Sequence, residues 1–146
     1  MRGDITKKVL RTLDRAAALL GRGTARAPHL TTGVRGEEEA YFHLRQLGYV
    51  MVARNFRSPR RKGEVDLIGW EGDTLCFVEV KTRRSLNFIP AEAAVDRDKQ
   101  RELRIMAREY AHRLKQPPAY RFDVISVYLE GAAPQFRLIR NAFAAR

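Results

Sequence analysis

The stretch from Gly63 to Lys81 limits the possible folds more than any other part of the chain, because it places charged residues inside two short β-prone segments. Successive side chains of a strand point to opposite faces, so Glu64 and Asp66 share one face while the aliphatic residues beside them take the other. The second segment repeats this pattern with Glu79 and Lys81. The sequence therefore predicts a strand pair that carries a line of charges on one face.

Residues 72 and 73, a glycine followed by an aspartate, join the two segments and are typical of a two-residue hairpin turn. Such a turn places Asp66 directly opposite Glu79, and Glu64 opposite Lys81. Opposed side chains have Cβ atoms about 5 Å apart, and like charges at that distance are destabilising. A divalent cation would offset this repulsion, since Mg²⁺ is commonly bound through one or two carboxylates.

The alternative interpretation of the hairpin is a solvated, salt-bridged sheet face in which Lys81 neutralises Glu64 or Glu79. The neighbouring residues favour the metal site, because Leu75 and Phe77 share the face of Glu79 and place the charges at the end of an apolar surface. Three carboxylates beside one lysine therefore predict a cation-binding patch.

The charge balance points to a polyanionic partner. The chain has 28 lysine and arginine residues against 17 acidic ones, a formal net charge of +11, which favours nucleic acid or an anionic membrane surface. A single cysteine excludes an intramolecular disulfide, and the few histidines make a zinc site improbable. No apolar run approaches the length of a membrane span, about 20 residues. Because charges also interrupt any signal-peptide core, we expect a cytoplasmic protein.

The first 30 residues are predicted to form a basic N-terminal extension, with a helix over residues 4–20 and a linker after it. The first 28 residues hold seven basic and two acidic side chains. Two interpretations remain open. The extension is either a basic arm that contacts phosphates or a membrane, or a helix that packs on a partner or is poorly ordered. Residues 31–146 are expected to form the main domain.

The periodicity of the main domain predicts a helix, three strands, a helix and two strands. This order predicts an α/β fold with a mixed central sheet flanked by helices. The helices are expected at residues 36–47 and 91–114, the hairpin at 63–82, and the other strands at 49–56, 120–129 and 135–140.

Two charged residues fall on the apolar stripes of these helices. Glu37 lies on the stripe that faces the core, whereas Glu38 and Glu39 are expected to complement the helix dipole in the first turn. Lys99 precedes Leu103 by four residues on the inward stripe, so its stem is expected to pack on the core and deliver the ammonium group toward an anion. Glu37 and Lys99 are therefore candidates to join the charged hairpin.

Asp123 is a polar residue inside an apolar strand pattern. Buried carboxylates are usually paired, so we interpret Asp123 as the partner of Arg121 or of another arginine in a structural ion pair. A catalytic role is the less favoured alternative.

Basic residues cluster between the first strand and the hairpin, with further ones near the acidic patch. A solvated loop is the plain interpretation of this cluster, but cations beside the patch also suit an approaching phosphate backbone. The candidates for contacts with nucleic acid are Arg57, Arg60, Arg61, Lys62, Arg83 and Lys99.

With Glu37, Asp66 and the run Glu79-Val80-Lys81 in place, the chain resembles the PD-(D/E)xK nuclease superfamily, whose fold is restriction-endonuclease-like. More specifically, it resembles the bacterial YraN family, which is similar to archaeal Holliday junction resolvases. The chain departs from the superfamily pattern at Val65, where the eponymous proline would stand. The matching stretches are residues 33–37, 53–57, 63–68, 77–83, Lys99 and 121–124.

The resemblance implies a catalytic metal, Mg²⁺ or Mn²⁺, held by Asp66 and Glu79 with the carbonyl of Val80. Glu64 would assist at the rim of the metal site. Metal-assisted hydrolysis of a phosphodiester is the chemistry that such a ligand set supports.

The resemblance also implies two further catalytic residues. Lys81 would orient or deprotonate the attacking water, and Glu37 would bind or orient a second metal or its water. The expected function is a metal-dependent nucleic-acid phosphodiesterase, similar to a DNA endonuclease and acting on branched or damaged DNA. Similar resolvases act as dimers, so a homodimer is an expected partner.

Two alternatives stay open. One is a non-catalytic nucleic-acid-binding protein that retains the nuclease fold, which the net charge supports equally well. The weaker one is a membrane-surface or partner-binding protein that acts through the N-terminal helix.

Overall fold

The computed structural model describes residues 28–83 and 95–146 of the chain. The predicted order of elements is confirmed. The bounds are α1 Pro28–Gln46, β1 Val50–Phe56, β2 Val65–Glu71, β3 Thr74–Arg83, α2 Arg97–His112, β4 Tyr120–Tyr128 and β5 Gln135–Phe143.

The five strands form one mixed sheet in the order β1-β2-β3-β4-β5. Strands β1, β2 and β3 are successively antiparallel, β4 runs parallel to β3, and β5 is antiparallel to β4. A parallel pair needs a crossover connection, and the segment containing α2 supplies it. The predicted α/β fold with a mixed sheet is thereby confirmed.

The two helices belong to the two cores on opposite faces of the sheet. The α1 core includes Leu44 and Val78, while the α2 core includes Leu103 and Phe77. Because neighbouring strand residues alternate between faces, Phe77 and Val78 reach different helices. The central strand β3 is therefore covered on both sides, which explains its continuous run of buried residues.

Both helices differ from their predicted bounds. Helix α1 begins at Pro28 instead of residue 36, and a proline is well tolerated in a first helical turn, where its missing N–H costs nothing. Helix α2 begins at Arg97 because Asp96 is its N-cap and accepts a hydrogen bond from Lys99 N at 2.8 Å. The predicted start at residue 91 was too early, and residues 91–94 themselves lie outside the described residues.

The longer α1 also corrects the interpretation of two acidic residues. The first turn of α1 contains no acidic residue, so Glu38 and Glu39 lie in the middle of the helix and do not complement its dipole. Glu39 is almost fully buried. The predicted helix at residues 4–20 lies outside the described residues. Neither described helix combines the length and the apolar composition needed to cross a membrane.

Candidate metal and phosphodiester site

The hairpin formed by β2 and β3 has the predicted turn and register. Its backbone pairs run from Glu71 opposite Thr74 to Leu67 opposite Val78, so Asp66 and Glu79 are the next positions in the same register. Backbone pairing stops there. Instead, the amide of Val80 donates a hydrogen bond to Asp66 Oδ2 at 2.8 Å, which fixes that carboxylate beside β3.

Glu37 reaches the hairpin because α1 approaches the end of β3 closely. A Cβ atom on Gly36 would lie 1.9 Å from Thr82 Oγ1, so only glycine allows this approach. Glu37, Glu64 and Asp66 each present a carboxylate oxygen, and these oxygens lie within 4.8 Å of one another. The three carboxylates come from a helix, a loop and a strand, and the tertiary fold brings them together.

Asn55 connects two of these carboxylates. With its amide nitrogen facing the site, Nδ2 donates to Glu37 Oε2 at 3.1 Å and to Glu64 Oε1 at 2.8 Å. Its backbone has φ +49°, a left-handed conformation that asparagine tolerates better than most residues. The pairs that flank it in β1 place Asn55 opposite Asp66. Asn55 therefore holds Glu37 and Glu64 over the start of β2.

Two lysines lie on the other side of Asp66, around Glu79. Glu79 is only 6% exposed, and its Oε1 lies 3.4 Å from Lys81 Nζ. Lys99 Nζ lies 4.0 Å from Glu79 Oε2 and donates to the carbonyl of Glu64 at 3.1 Å. The placement predicted for Lys99, with its ammonium group at the acidic patch, is confirmed.

Glu102, one helical turn after Lys99, completes the α2 side of the site. Its Oε1 accepts a hydrogen bond from the Glu64 amide at 3.2 Å and lies 3.6 Å from Lys99 Nζ. Gly63 precedes this contact with φ +119°, and a Cβ atom there would lie 1.7 Å from Glu102 Oε1. Glycine at position 63 thus lets the loop pass over α2 and delivers Glu64 to the site.

The pKa values of Glu37, Asp66 and Glu79 are raised, because the nearby positive charges and hydrogen-bond donors only partly offset the cost of their burial. Burial, followed by the negative charge of Asp66, raises the pKa of Glu79 to about 7 against the opposing effect of the two lysines. Burial and the charges of Asp66 and Glu64 raise the pKa of Glu37 to about 7. Burial also raises the pKa of Asp66, although the amide of Val80 opposes this. The acidic site therefore holds more negative charge than its two lysines and the Val80 amide offset.

The oxygen donors of the site fit a hard divalent cation. Carboxylates are the ligands that Mg²⁺ and Mn²⁺ prefer. Glu79 Oε2 is buried and accepts no hydrogen bond from the described residues. A cation beside Asp66 would satisfy this oxygen and would offset both the burial and the repulsion that raise the carboxyl pKa values.

The structure changes the predicted arrangement of Glu64. Strand β2 begins only at Val65, and Glu64 turns toward Arg57, whose Nε donates to Glu64 Oε2 at 2.6 Å. Of the two partners expected for Lys81, Glu64 or Glu79, the structure pairs Lys81 with Glu79. Asp66 lies between the Glu37–Glu64 pair and Glu79.

Sequence reasoning did not include Asn55 and Glu102 among the site residues. Asn55 lay within the matching stretch 53–57, but nothing in a strand pattern indicates its left-handed backbone. Glu102 follows Lys99 at the i,i+3 spacing of neighbours on one helix face. That spacing could have identified Glu102 as a residue beside Lys99 at the site.

Two of the basic residues predicted to contact nucleic acid reach the acidic site. Arg57 is exposed and paired with Glu64, and Lys99 on α2 lies beside Glu79. The others lie in the exposed loop after β1 or, half-buried, at the end of β3, and they are Arg60, Arg61, Lys62 and Arg83.

Asp123 belongs to a separate ionic network on the α1 face, which extends through Arg121 to Glu71 at the end of β2. Arg121 Nε donates to Asp123 Oδ1 at 2.8 Å, so the predicted ion pair is confirmed. Tyr49 Oη donates to Asp123 Oδ2 at 3.0 Å. Arg121 and Arg140 both pair with Glu71. Arg140 has the larger effect and Arg121 the smaller, and together they lower the pKa of Glu71 to about 2.

Residues 36–127 match the model of the uncharacterised protein family UPF0102. A UPF0102 protein of Koribacter versatilis is 50% identical over 115 residues, which cover 79% of this chain and 80% of that protein. A UPF0102 protein of Caldicellulosiruptor saccharolyticus is 45% identical over 114 residues, covering 76% of this chain and 95% of that protein. The family match contains the acidic site, its two lysines and the Asp123 network apart from Arg140, and the chain belongs to the UPF0102 family.

Proposed function

We propose that this protein is a metal-dependent phosphodiesterase that acts on nucleic acid, of the DNA endonuclease type found in the PD-(D/E)xK superfamily with its restriction-endonuclease-like fold. The observation that carries the proposal is the convergence of Glu37, Glu64 and Asp66 within 4.8 Å, beside the buried Glu79 and its two lysines. Carboxylates that crowd one another while half-buried or buried are costly, and such groups cluster at functional sites.

The proposed metal ligands are Asp66 and Glu79, with Glu37 and Glu64 on the adjoining side. A bound Mg²⁺ or Mn²⁺ would supply an activated water and neutralise charge on the scissile phosphate. Lys81 is one-third exposed and paired with Glu79, so its ammonium group can orient the water or stabilise charge that develops on the phosphate.

The residues around the acidic site give it a way to attract its substrate. A phosphodiester is anionic and would be repelled by four carboxylates alone. The formal net charge of +11 and the exposed arginines of the loop at residues 57–62 offset that repulsion and favour a polyanion near the site.

A second candidate function is binding of nucleic acid without cleavage. One observation favours it: Lys99 Nζ already lies within 4.0 Å of Glu79 and Glu102, so a permanent cation partly replaces the metal. Binding alone does not separate the two functions, because both use the same basic surface.

Cleavage assays separate the two functions. The purified protein is incubated with branched, flapped, double-stranded and single-stranded DNA and with RNA, in Mg²⁺, Mn²⁺ or EDTA. We expect metal-dependent cleavage of at least one substrate, and we expect Asp66→Ala and Glu79→Ala to reduce the rate at least about 100-fold, the scale of losing a principal electrostatic contribution.

The matched control is Asp73→Ala, which removes an exposed carboxylate from the turn of the same hairpin. Equal activity in Asp66→Ala and Asp73→Ala would show that the cleavage arises elsewhere. No cleavage of any substrate, together with no Mg²⁺-dependent rise in melting temperature, would favour the non-catalytic binding protein.

A further inference from the structure

A groove of about 310 Å³ lies between the basic loop after β1 and the second half of α2. We call it the α2 groove. Its lining is strongly basic, with three arginines and a histidine against one glutamate. The lining residues are Arg60, Arg61, Ile105, Arg108, Glu109 and His112.

The α2 groove is held in shape by a buried serine. Ser58 Oγ donates to Glu109 Oε1 at 2.8 Å and accepts from the Arg60 amide at 3.1 Å. The loop is therefore fastened to the helix, and Arg60 lies two residues after the serine that fastens it. Glu109 is also paired with Arg113 at 3.0 Å, so its charge is already engaged by a cation outside the groove lining.

The arginines of the α2 groove are available for an anion. Among residues 28–83 and 95–146, no carboxylate oxygen lies within ion-pair distance of the guanidinium groups of Arg60, Arg61 or Arg108. Guanidinium groups present forked donors that match phosphate oxygens. Their convergence in one groove therefore suits a phosphate group.

The position of the α2 groove relative to the acidic site determines what kind of phosphate it can take. Arg108 follows Lys99 by nine residues of α2, which at 1.5 Å per residue is about 14 Å along the helix. Phosphates of one DNA strand advance about 3.4 Å per base pair along the duplex axis. The separation therefore corresponds to about four base-pair steps, a distance that a mononucleotide does not span.

We propose that the α2 groove binds the phosphate backbone of the substrate strand about four base-pair steps from the acidic site. The distance of about four steps rests on the proposed function, because it is measured from the acidic site as the point where the strand is cut. It assigns Arg108 and the Arg60–Arg61 pair to a second phosphate subsite that sets the position of a long substrate.

Binding measurements with matched variants test this subsite. Fluorescence anisotropy follows a DNA duplex of about 16 base pairs across a range of KCl concentrations, with Ca²⁺ in place of Mg²⁺. We expect Arg108→Ala to weaken binding roughly 3- to 10-fold. It should also lower the slope of log affinity against log salt concentration by about one, and the Arg60→Ala/Arg108→Ala double variant should lower that slope by about two. The control is Arg45→Ala, which removes one exposed positive charge from α1 on the opposite face of the sheet.

Equal effects of Arg108→Ala and Arg45→Ala would overturn the subsite, because a uniform loss of charge would explain both. Displacement of the duplex by poly-glutamate at equal charge would also overturn it, since phosphate geometry would then not matter. The same series in Asp66→Ala protein separates this inference from the proposed function. An Arg108 effect that persists while the wild-type protein cleaves nothing supports the subsite and contradicts only the nuclease proposal.

Discussion

Asp123 and Glu79 lie on neighbouring strands of one sheet, and both carboxylates are almost fully buried, with residue exposures of 0% and 6%. Asp123 accepts hydrogen bonds from the side chains of Arg121 and Tyr49 and from the Asn141 amide. Within residues 28–83 and 95–146, the ion-pair partners of Glu79 are two lysine ammonium groups, at 3.4 and 4.0 Å, and its Oε2 accepts no hydrogen bond. Among these residues, the carboxylate of Asp123 is satisfied by hydrogen bonds and that of Glu79 is not.

The comparison extends to the neighbours of these two residues. The Asp123 network stabilises its charges, because two arginines lower the pKa of Glu71 to about 2. The acidic site has the opposite balance, with the pKa values of Glu37 and Glu79 raised to about 7. The network is thus balanced by its own arginines, whereas the acidic site would gain stability from the proposed cation. This contrast is the physical reason for our proposal that the first region is structural and the second functional.

The largest effect is expected from breaking the Asp123 network. Asp123→Ala leaves Arg121 with one carboxylate partner fewer and leaves the Tyr49 hydroxyl and the Asn141 amide without their acceptor. Removing one partner of a buried ion pair typically costs about 3–5 kcal/mol, so urea unfolding should show a loss of that size. Asp73→Ala, in an exposed turn, should change stability by less than about 0.5 kcal/mol.

Asp123→Asn is a milder variant in case the alanine variant does not fold. It should retain the expected Mg²⁺-dependent rise in melting temperature, because the network does not belong to the proposed metal site. If the variant folds but loses this rise, the division between the two regions is wrong.

Neutralising Glu79 should raise the stability of the metal-free protein, whereas Asp123→Ala should lower it. Glu79→Gln removes a buried negative charge whose pKa is raised to about 7 by burial and by Asp66. In EDTA at about pH 8, the variant should therefore be more stable than the wild type by roughly 1–3 kcal/mol. It should also lose most of the Mg²⁺-dependent rise in melting temperature. A metal-free variant that is less stable than the wild type would indicate that Glu79 is a structural ion-pair partner, like Asp123.

The pH dependence of stability should show the same contrast. A raised carboxyl pKa means that the folded state binds protons more tightly, so Glu37 and Glu79 cost stability increasingly as the pH rises from 4.5 through about 7. The lowered pKa of Glu71 has the reverse effect, since its stabilisation is lost as the pH falls from 4.5 through about 2. Urea unfolding in EDTA should therefore show stability declining by about 1–3 kcal/mol between about pH 5 and pH 8. The Glu37→Gln/Glu79→Gln double variant should remove most of that decline, and an unchanged decline would contradict the assignment.

The smallest effect on stability is expected at Asn55. Asn55→Gly removes the hydrogen bonds to Glu37 and Glu64 but relieves the left-handed backbone at φ +49°. These contributions are each about 1 kcal/mol and oppose one another, so stability should change little while Mg²⁺ affinity falls. Asn55→Ala keeps the strained backbone and should be less stable than Asn55→Gly by roughly 1 kcal/mol. Calorimetric titration with Mg²⁺ tests the affinity, and unchanged affinity in both variants would remove Asn55 from the site.

Local sequence patterns were sufficient for the centre of the site. The Gly-Asp turn at residues 72–73 and the two-residue alternation gave the register that places Asp66 beside Glu79, because hairpin pairing depends on neighbours in the chain. Helical periodicity placed Glu37 and Lys99 on inward stripes for the same reason. These residues required no knowledge of how the elements pack.

The limits of the helices and the outer residues of the site required the packed structure. The α1 segment contains Gly33 and Gly36, which disfavour helix, yet the helix continues through both. Gly36 is needed for contact with Thr82, a residue distant in sequence. In the same way, the partners of Asn55 are Glu37 and Glu64, from another helix and a loop.

The sequence by itself determined the order of elements, the charged hairpin and the identity of Asp66, Glu79 and Lys81 as one group, because alternation and turn chemistry act over a few residues. Only the tertiary structure decided which carboxylates converge, with Glu64 turned to Arg57 and Asn55 joined to Glu37. It also decided which buried charge is satisfied. Burial and ion pairing depend on residues that are far apart along the chain, and packing alone brings those residues into contact.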